Sequence, residues 1–247
     1  MNETDFSYSM LMDTSMLNER RDATLPALLR VMENALEEHL LDTGMDIPVI
    51  LPKYGVFWVF LAISAELREP IRAGERVTAK TWNGGRSGMV FRRELSMTRS
   101  DGASVLEASC FSGLVDAKAR HLVRDPALLR EFELPQGRNL IEAVSRIQPD
   151  LTAFTEVGRR KVFPSWVDGL GHVNNSRYGD MLVDLLFADG KGPEGRLRRF
   201  ELYFVSELHR DEEVILLSRD IGNGGTEFAG LHGESRSPAF YARVFYR

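Results

Sequence analysis

The chain contains a single cysteine, Cys110, in 247 residues, which excludes an intrachain disulfide and any cysteine-rich metal site. Its LEASCFSGL setting reads as a strand interior, so packing rather than nucleophilic chemistry is expected of it. No apolar run is long enough to span a bilayer. Met1 to Asp22 is polar and acidic where a secretory signal would be basic and then apolar, so a cytoplasmic location without membrane insertion is expected. A basic excess is also missing: a net charge of -5 argues against a nucleic-acid partner. What is present, 43% hydrophobic and 27% charged residues, is the make-up of a folded chain with a substantial core. That length suits one large domain or two of about 120 residues.

The stretch Phe163 to Leu186, FPSWVDGLGHVNNSRYGDMLVDLL, holds the densest group of chemically useful residues. From Tyr178 the apolar residues Met181, Leu182, Leu185 and Leu186 recur at helical spacing and form one buried stripe. Asn174 and Asn175 precede it as N-cap candidates, since a short side-chain carbonyl accepts from the unpaired amides of a first turn. Upstream, Asp168-Gly169-Leu170-Gly171 reads as a turn that folds Asp168 and His172 back toward the helix start. A carboxylate, an imidazole and free amides at one helix start suit acyl transfer, with a base to activate water and donors for an oxyanion. The alternative role of His172 is capping or packing.

Along the chain, Phe6 to Met12 alternates like a strand, Asp13 to Asp22 reads as a polar loop, and a helix capped by Thr24 runs to near Gly44. A loop with Pro48 and Pro52 follows, then strands at Val56 to Arg68, Arg76 to Trp82, Met89 to Thr98 and Ser104 to Asp116, with a break expected at Asn83-Gly84-Gly85. Helical snatches at Pro126 to Phe132 and Asn139 to Ser145 belong to a connector. The first pattern then returns: strand Thr155 to Phe163, helix Asn175 to Ala188, and strands at Leu197 to Leu208, Glu213 to Arg219, Thr226 to Glu234 and Ala239 to Tyr246. LREPIRAGERV ending at Val77 and FVSELHRDEEV ending at Val214 share one strand, break and strand pattern. The expected fold is α+β, two tandem hot-dog repeats, each a long helix wrapped by a curled antiparallel β-sheet. Residues 1–125 form the first repeat, 126–151 the connector and 152–247 the second repeat, which carries the site.

The segment before the first helix, Asn18-Glu19-Arg20-Arg21-Asp22, shows no counterpart of the Gly-Leu-Gly-His-Val-Asn-Asn turn, so one site per chain is expected. Glu207, where an aromatic-rich strand ends, is a carboxylate that could meet the helix start; its alternative is a solvent-facing charge. Tyr178, Trp58, Trp82 and Met32 are candidates for lining a substrate pocket, with core packing as their alternative role.

Asp168, His172-Val173-Asn174-Asn175, Tyr178, Asp184 and FELYFVSELHRDEEV from Phe200 together resemble the acyl-acyl-carrier-protein thioesterases of plants and bacteria, a double hot-dog family. LPALLRVMENALEEHLLDTG and IRAGERVTAKTW in the first half look similar to the family's corresponding elements. The resemblance implies hydrolysis of fatty acyl-acyl-carrier-protein to free fatty acid and carrier thiol, ending fatty acid synthesis. Asp168, His172 and Glu207 match its catalytic positions, and the helix amides near Asn174 and Asn175 would hold the oxyanion. Glu207 or His172 would deprotonate water, or a carboxylate would attack through an anhydride; neither route needs a metal or organic cofactor. The partner implied is an acidic carrier protein steered by arginine groups, and a monomer or homodimer of double hot-dogs fits. The plant members have an asparagine two residues before the histidine, where this chain has Leu170, and a cysteine after the matched glutamate, where it has Leu208. Acyl-coenzyme A hydrolysis and a non-catalytic acyl-binding module are the alternatives.

Overall fold

The structure, a computed structural model, describes residues 5–142, 149–188 and 195–246. The chain divides into two compact units, residues 1–14 with 31–143 and residues 15–30 with 144–247. The helix α1 (Leu25–Asp42) gives its first six residues to the second unit and the rest to the first. Among the described residues no helix is long and apolar enough to cross a membrane.

In the first unit, strands β1 (Phe6–Leu11), β2 (Val56–Leu67), β3 (Arg76–Ser87), β4 (Val90–Arg99) and β5 (Ser104–Asp116) form an antiparallel sheet in the order β1-β3-β4-β5-β2. Val31, Met32, Ala35, Leu36 and His39 of α1 are buried, and His39 stacks on Phe6 and meets the buried Arg93 of β4 at 2.8 Å through Nδ1. Burial lowers the Arg93 guanidinium to about 10. Glu94, next in the strand and therefore on the opposite face, is fully buried, accepting from Ser109 Oγ and the Leu140 N–H at 2.9 Å and pairing with Arg92.

The second unit repeats this plan. Its strands β6 (Thr155–Lys161), β7 (Leu197–Phe204), β8 (Glu213–Gly222), β9 (Gly225–His232) and β10 (Pro238–Tyr246) lie in the equivalent order β6-β8-β9-β10-β7. The two units are hot-dog repeats. A row of charges crosses four strands of the second sheet: Glu201 opposite Arg243, Arg243 opposite Glu227, and Glu227 opposite Arg219. Arg243 Nε reaches Glu227 at 2.6 Å and Tyr203 Oη donates to Glu201 at 3.0 Å. Both glutamates are nearly inaccessible, so such a row is tolerated only because each carboxylate meets guanidinium donors.

Three local expectations are corrected. The Pro48 and Pro52 stretch is not a loop but a helix, α2 (Ile47–Tyr54), with Pro48 in the first turn, where its missing N–H costs nothing, and Gly55 closing the end in a left-handed conformation. Asn83-Gly84-Gly85 does not end a strand: β3 runs through it with a bulge between Asn83 and Gly85. There the connector docks, with Gly137 N–H donating to the Asn83 carbonyl at 2.9 Å and Trp82 Nε1 to the Arg138 carbonyl at 2.7 Å. A short helix α3 (Pro126–Arg130) matches the first connector snatch, while the second is non-helical over 139–142 and otherwise falls outside the described residues.

The third correction concerns the first helix start. The segment Leu17–Thr24 has the same turn as Val167–Asn174, with both preceded by a 3-10 turn and closed by isolated bridges Leu17 to Ala23 and Val167 to Val173. Asn18 N–H donates to the Asp22 carbonyl at 2.9 Å as Asp168 N–H does to His172 at 3.0 Å, and Arg20 N–H donates to Asn18 Oδ1 as Leu170 N–H does to Asp168 Oδ1. The backbone is duplicated; the side chains are not.

Burial alone would raise the Glu227 carboxyl, but hydrogen bonds and charge from Arg219 and Arg243 outweigh it and hold the group below its usual value. A carboxylate depressed in the folded state stabilises above its unfolded pKa of about 4.3 and loses that contribution as pH falls through the folded value. Urea midpoints across pH 3 to 7 are expected to show Glu227→Gln less stable by about 2 kcal/mol near neutrality, with the gap closing below about pH 4.

Candidate active site

The helix α4 (Asn175–Leu186) begins at Asn174, whose side chain accepts from the Ser176 N–H at 3.1 Å while its carbonyl accepts from Arg177 N–H at 2.9 Å. Those two first-turn amides are therefore engaged by the cap, and Asn175 occupies the first helical position. Gly179 faces the start of α1 in the same unit: a Cβ there would lie 2.9 Å from Pro26 N and 3.0 Å from Leu29 Cδ1. Arg30 adds a 2.8 Å bond to the buried Ser176 hydroxyl.

The turn ahead of α4 is held by Asp168. One carboxylate oxygen accepts from Leu170 N–H at 2.8 Å, and the other lies 3.6 Å from His172 Nδ1. At that separation the contact is a charge pair when the imidazole is protonated rather than a hydrogen bond. His172 Nδ1 also lies 3.4 Å from the Val173 carbonyl, so this nitrogen faces acceptors and Nε2 is the one left for proton transfer. Gly171 carries a left-handed φ of 88°, and its first-repeat twin Arg21 is held at 64°, a conformation that costs a residue with a side chain more than glycine. Leu170 is 53% exposed, its side chain has no polar atom, and its N–H is already given to Asp168.

Glu207 lies in the irregular segment between β7 and β8. Val173 N–H donates to the Leu208 carbonyl at 2.8 Å, and His209 Nδ1 lies 3.2 Å from the Gly171 carbonyl. The His172 turn and the Glu207 segment are thus laced together. His209 Nε2 in turn lies 3.9 Å from Glu207 Oε2, a neighbour that the sequence reading did not single out although it stands two residues further on. Beneath both loops sits Tyr178, 3% exposed, with Phe204 and Phe240 edge-on at 5.1 Å. Burial pushes its phenol well above the usual value against a hydrogen bond from the Leu208 amide, and the charges of Glu207, Glu212 and Asp168 push the same way as burial.

The other pocket candidates lie in the first unit. Met32 is fully buried on α1. Trp58 donates to the Met45 carbonyl at 2.9 Å and packs edge-on against Phe91 and Phe132, while Trp82 is covered by the connector at Gly137. Of the basic residues in the second half of the chain, Arg159, Lys161, Arg196 and Arg199 pair with Glu156 and Glu213, Asp211, Asp22 and Glu201 respectively. Much of that positive charge is spent within the chain. Among the described residues no group of three His, Cys, Asp or Glu side chains is arranged to hold a metal ion.

The family model for the acyl-ACP thioesterase N-terminal domain matches residues 3–132. The chain belongs to the acyl-ACP thioesterase family. That membership places it among the thioester hydrolases, and the matched residues cover the first repeat rather than the turn before α4. A crystal structure of an acyl-ACP thioesterase from Bacteroides thetaiotaomicron is similar with a TM-score of 0.84 and 20% identity over 98% of each chain. A 12:0-ACP thioesterase from Umbellularia californica has a TM-score of 0.82 and 19% identity over 100% of this chain and 98% of its own. At these identities the likeness establishes the fold. No curated protein matches the sequence.

Two variants test the frame of the site. Gly179→Ala raises helix propensity yet forces a methyl against the Pro26 backbone, and a loss of about 1–3 kcal/mol in denaturant unfolding is expected. Tyr178→Phe removes the acceptor of the Leu208 N–H; a loss of about 1 kcal/mol is expected, with faster amide exchange at Leu208.

Proposed function

We propose that the chain hydrolyses fatty acyl thioesters carried on acyl carrier protein, releasing free fatty acid and carrier thiol and so ending chain growth in fatty acid synthesis. The observation that carries this reading is the lacing of the His172 turn to the Glu207 segment at the start of α4, in a chain of this family. Asp168 lies on the Nδ1 side of the imidazole and pairs with it once it is protonated. Glu207 or His172 Nε2 takes a proton from water as its oxygen adds to the thioester carbonyl, and the partial positive charge of the helix start at Asn174 and Asn175 stabilises the oxyanion. Collapse of the tetrahedral intermediate breaks the C–S bond, and the proton held by the base passes to the departing thiolate. Leu170 cannot supply the polar contact of the plant family's asparagine, so positioning of the water falls to Asp168, His172 and Glu207.

The Umbellularia neighbour acts on a 12:0-ACP, which supports a carrier-bound saturated substrate as the first to assay. Steady-state thiol release from acyl carrier protein loaded with graded chain lengths, with acyl-coenzyme A in parallel, tests the substrate. Asp168→Asn, His172→Gln and Glu207→Gln are each expected to lower kcat by about 10²- to 10⁴-fold with circular dichroism unchanged. Equal turnover of coenzyme A thioesters would move the reading to acyl-coenzyme A hydrolysis. Binding without thiol release would make the chain an acyl-binding module.

A further inference from the structure

The segment that carries Glu207 and His209, residues 205–212, has both ends tied to one side chain outside the site described above. His232, the last residue of β9, places Nε2 2.7 Å from Ser206 Oγ and Nδ1 3.1 Å from Glu212 Oε2. The imidazole is mostly shielded, and the serine lies at the surface. A serine, histidine and glutamate in a row at these distances have the spacing of a nucleophilic triad.

The count of protons argues against that use. Ser206 Oγ also lies 2.8 Å from the Pro238 carbonyl, which can only accept, and a hydroxyl has one proton to give. With that proton on Pro238, the bond to His232 must run from Nε2–H to Oγ. Nδ1 faces a carboxylate, which when ionised also only accepts. The row is satisfied with a proton on each ring nitrogen and with the serine oxygen as acceptor, the reverse of the polarity that activates a nucleophile.

We propose that His232 is a positioning residue for Glu207, a cross-tie that fixes the Ser206 and Glu212 ends of the segment and so keeps the Glu207 carboxylate in register with the His172 turn. The inference rests on the reading of Glu207 as a catalytic group. The middle of the segment is independently held, since Leu208 is fully buried and its carbonyl accepts from Val173 N–H. The flanks also carry backbone bonds, from Ser206 N–H to the Ala239 carbonyl at 3.1 Å and from Val162 N–H to the Glu212 carbonyl at 2.8 Å, so loss of the tie loosens rather than frees the flanks that aim Glu207 and leaves Leu208 seated. A carboxylate displaced by about 1 Å from its working position can cost about 10²-fold in rate.

The test compares His232→Leu, Ser206→Ala, Ser206→Thr and Glu207→Gln with wild type in thiol release from acyl carrier protein, with hydrogen exchange over residues 205–212. His232→Leu is expected to lower kcat by about 10- to 100-fold with KM within about twofold, and to speed exchange in the segment but not in α4. Ser206→Ala, which removes the hydroxyl's bonds to His232 and to the Pro238 carbonyl but leaves the Glu212 end tied, is expected to do the same to a smaller degree, and Ser206→Thr to restore turnover. Full kcat in His232→Leu beside an inactive Glu207→Gln overturns the proposal alone. Full kcat in Glu207→Gln overturns the catalytic reading and the proposal with it. Covalent labelling of Ser206 in the wild type by a fluorophosphonate probe also overturns the proposal, because it makes the row a nucleophilic triad.

Discussion

A residue without a side chain at position 179 sets the spacing on which the site depends. With only hydrogen at Gly179, the first turns of α4 and α1 approach until Pro26 backbone atoms fill the place a Cβ would take. Arg30 then reaches the Ser176 hydroxyl behind the Asn174 cap. Two helix starts with the same preceding turn are thereby packed in one unit, one bearing Asp168 and His172 and the other Asn18 and Asp22. In the first turn asparagine stands at the place of Asp168 and aspartate at the place of His172, so the carboxylate and imidazole pair is absent there. Asp22 instead pairs with Arg196, so the duplicated backbone has become a structural joint. The two turns share their hydrogen-bond pattern and differ in their side chains.

The physical reasons that made some elements legible also explain the ones that were not. The boundaries of α1 and α4 followed from apolar stripes and from side-chain caps at Thr24 and Asn174, signals carried by adjacent residues. The sheet order repeated because each strand was bounded by a turn. The helix α2 was hidden because Pro48 and Pro52 punctuate it, although a proline in a first turn replaces an amide that has no partner anyway. Asn83-Gly84-Gly85 looked like a turn because a bulge uses the same residues. The twin turn at Asn18 to Asp22 was missed for a plainer reason: backbone hydrogen bonds hold its shape, and Arg21 occupies the conformation that Gly171 has in the second repeat. The local site residues Asp168, His172 and Asn174 could be read together from one stretch. That His209 would bond the Gly171 carbonyl depended on the loop between β7 and β8 folding back, which no local spacing encodes.

The carboxylates of the second unit have two kinds of partner, one in the sheet and another on the loops beside α4. Along the Glu201, Arg243, Glu227 and Arg219 row every carboxylate meets a guanidinium, a partner that does not give up its proton in a protein, and the row is fixed. On the loops beside α4 the partners differ. Asp168 has His172 at 3.6 Å, Glu207 has His209 at 3.9 Å and Glu212 has His232 at 3.1 Å. Three of the five histidines in the chain thus stand beside carboxylates on two loops that are hydrogen-bonded to each other. Histidine is the side chain whose ordinary titration lies near neutrality, so it can neutralise a carboxylate and still exchange a proton with a reacting group. An arginine in any of these places would give a stronger ion pair and no path for the proton. The imidazoles beside Asp168, Glu207 and Glu212 thus give these loops partners that can release a proton, as the proposed hydrolysis requires.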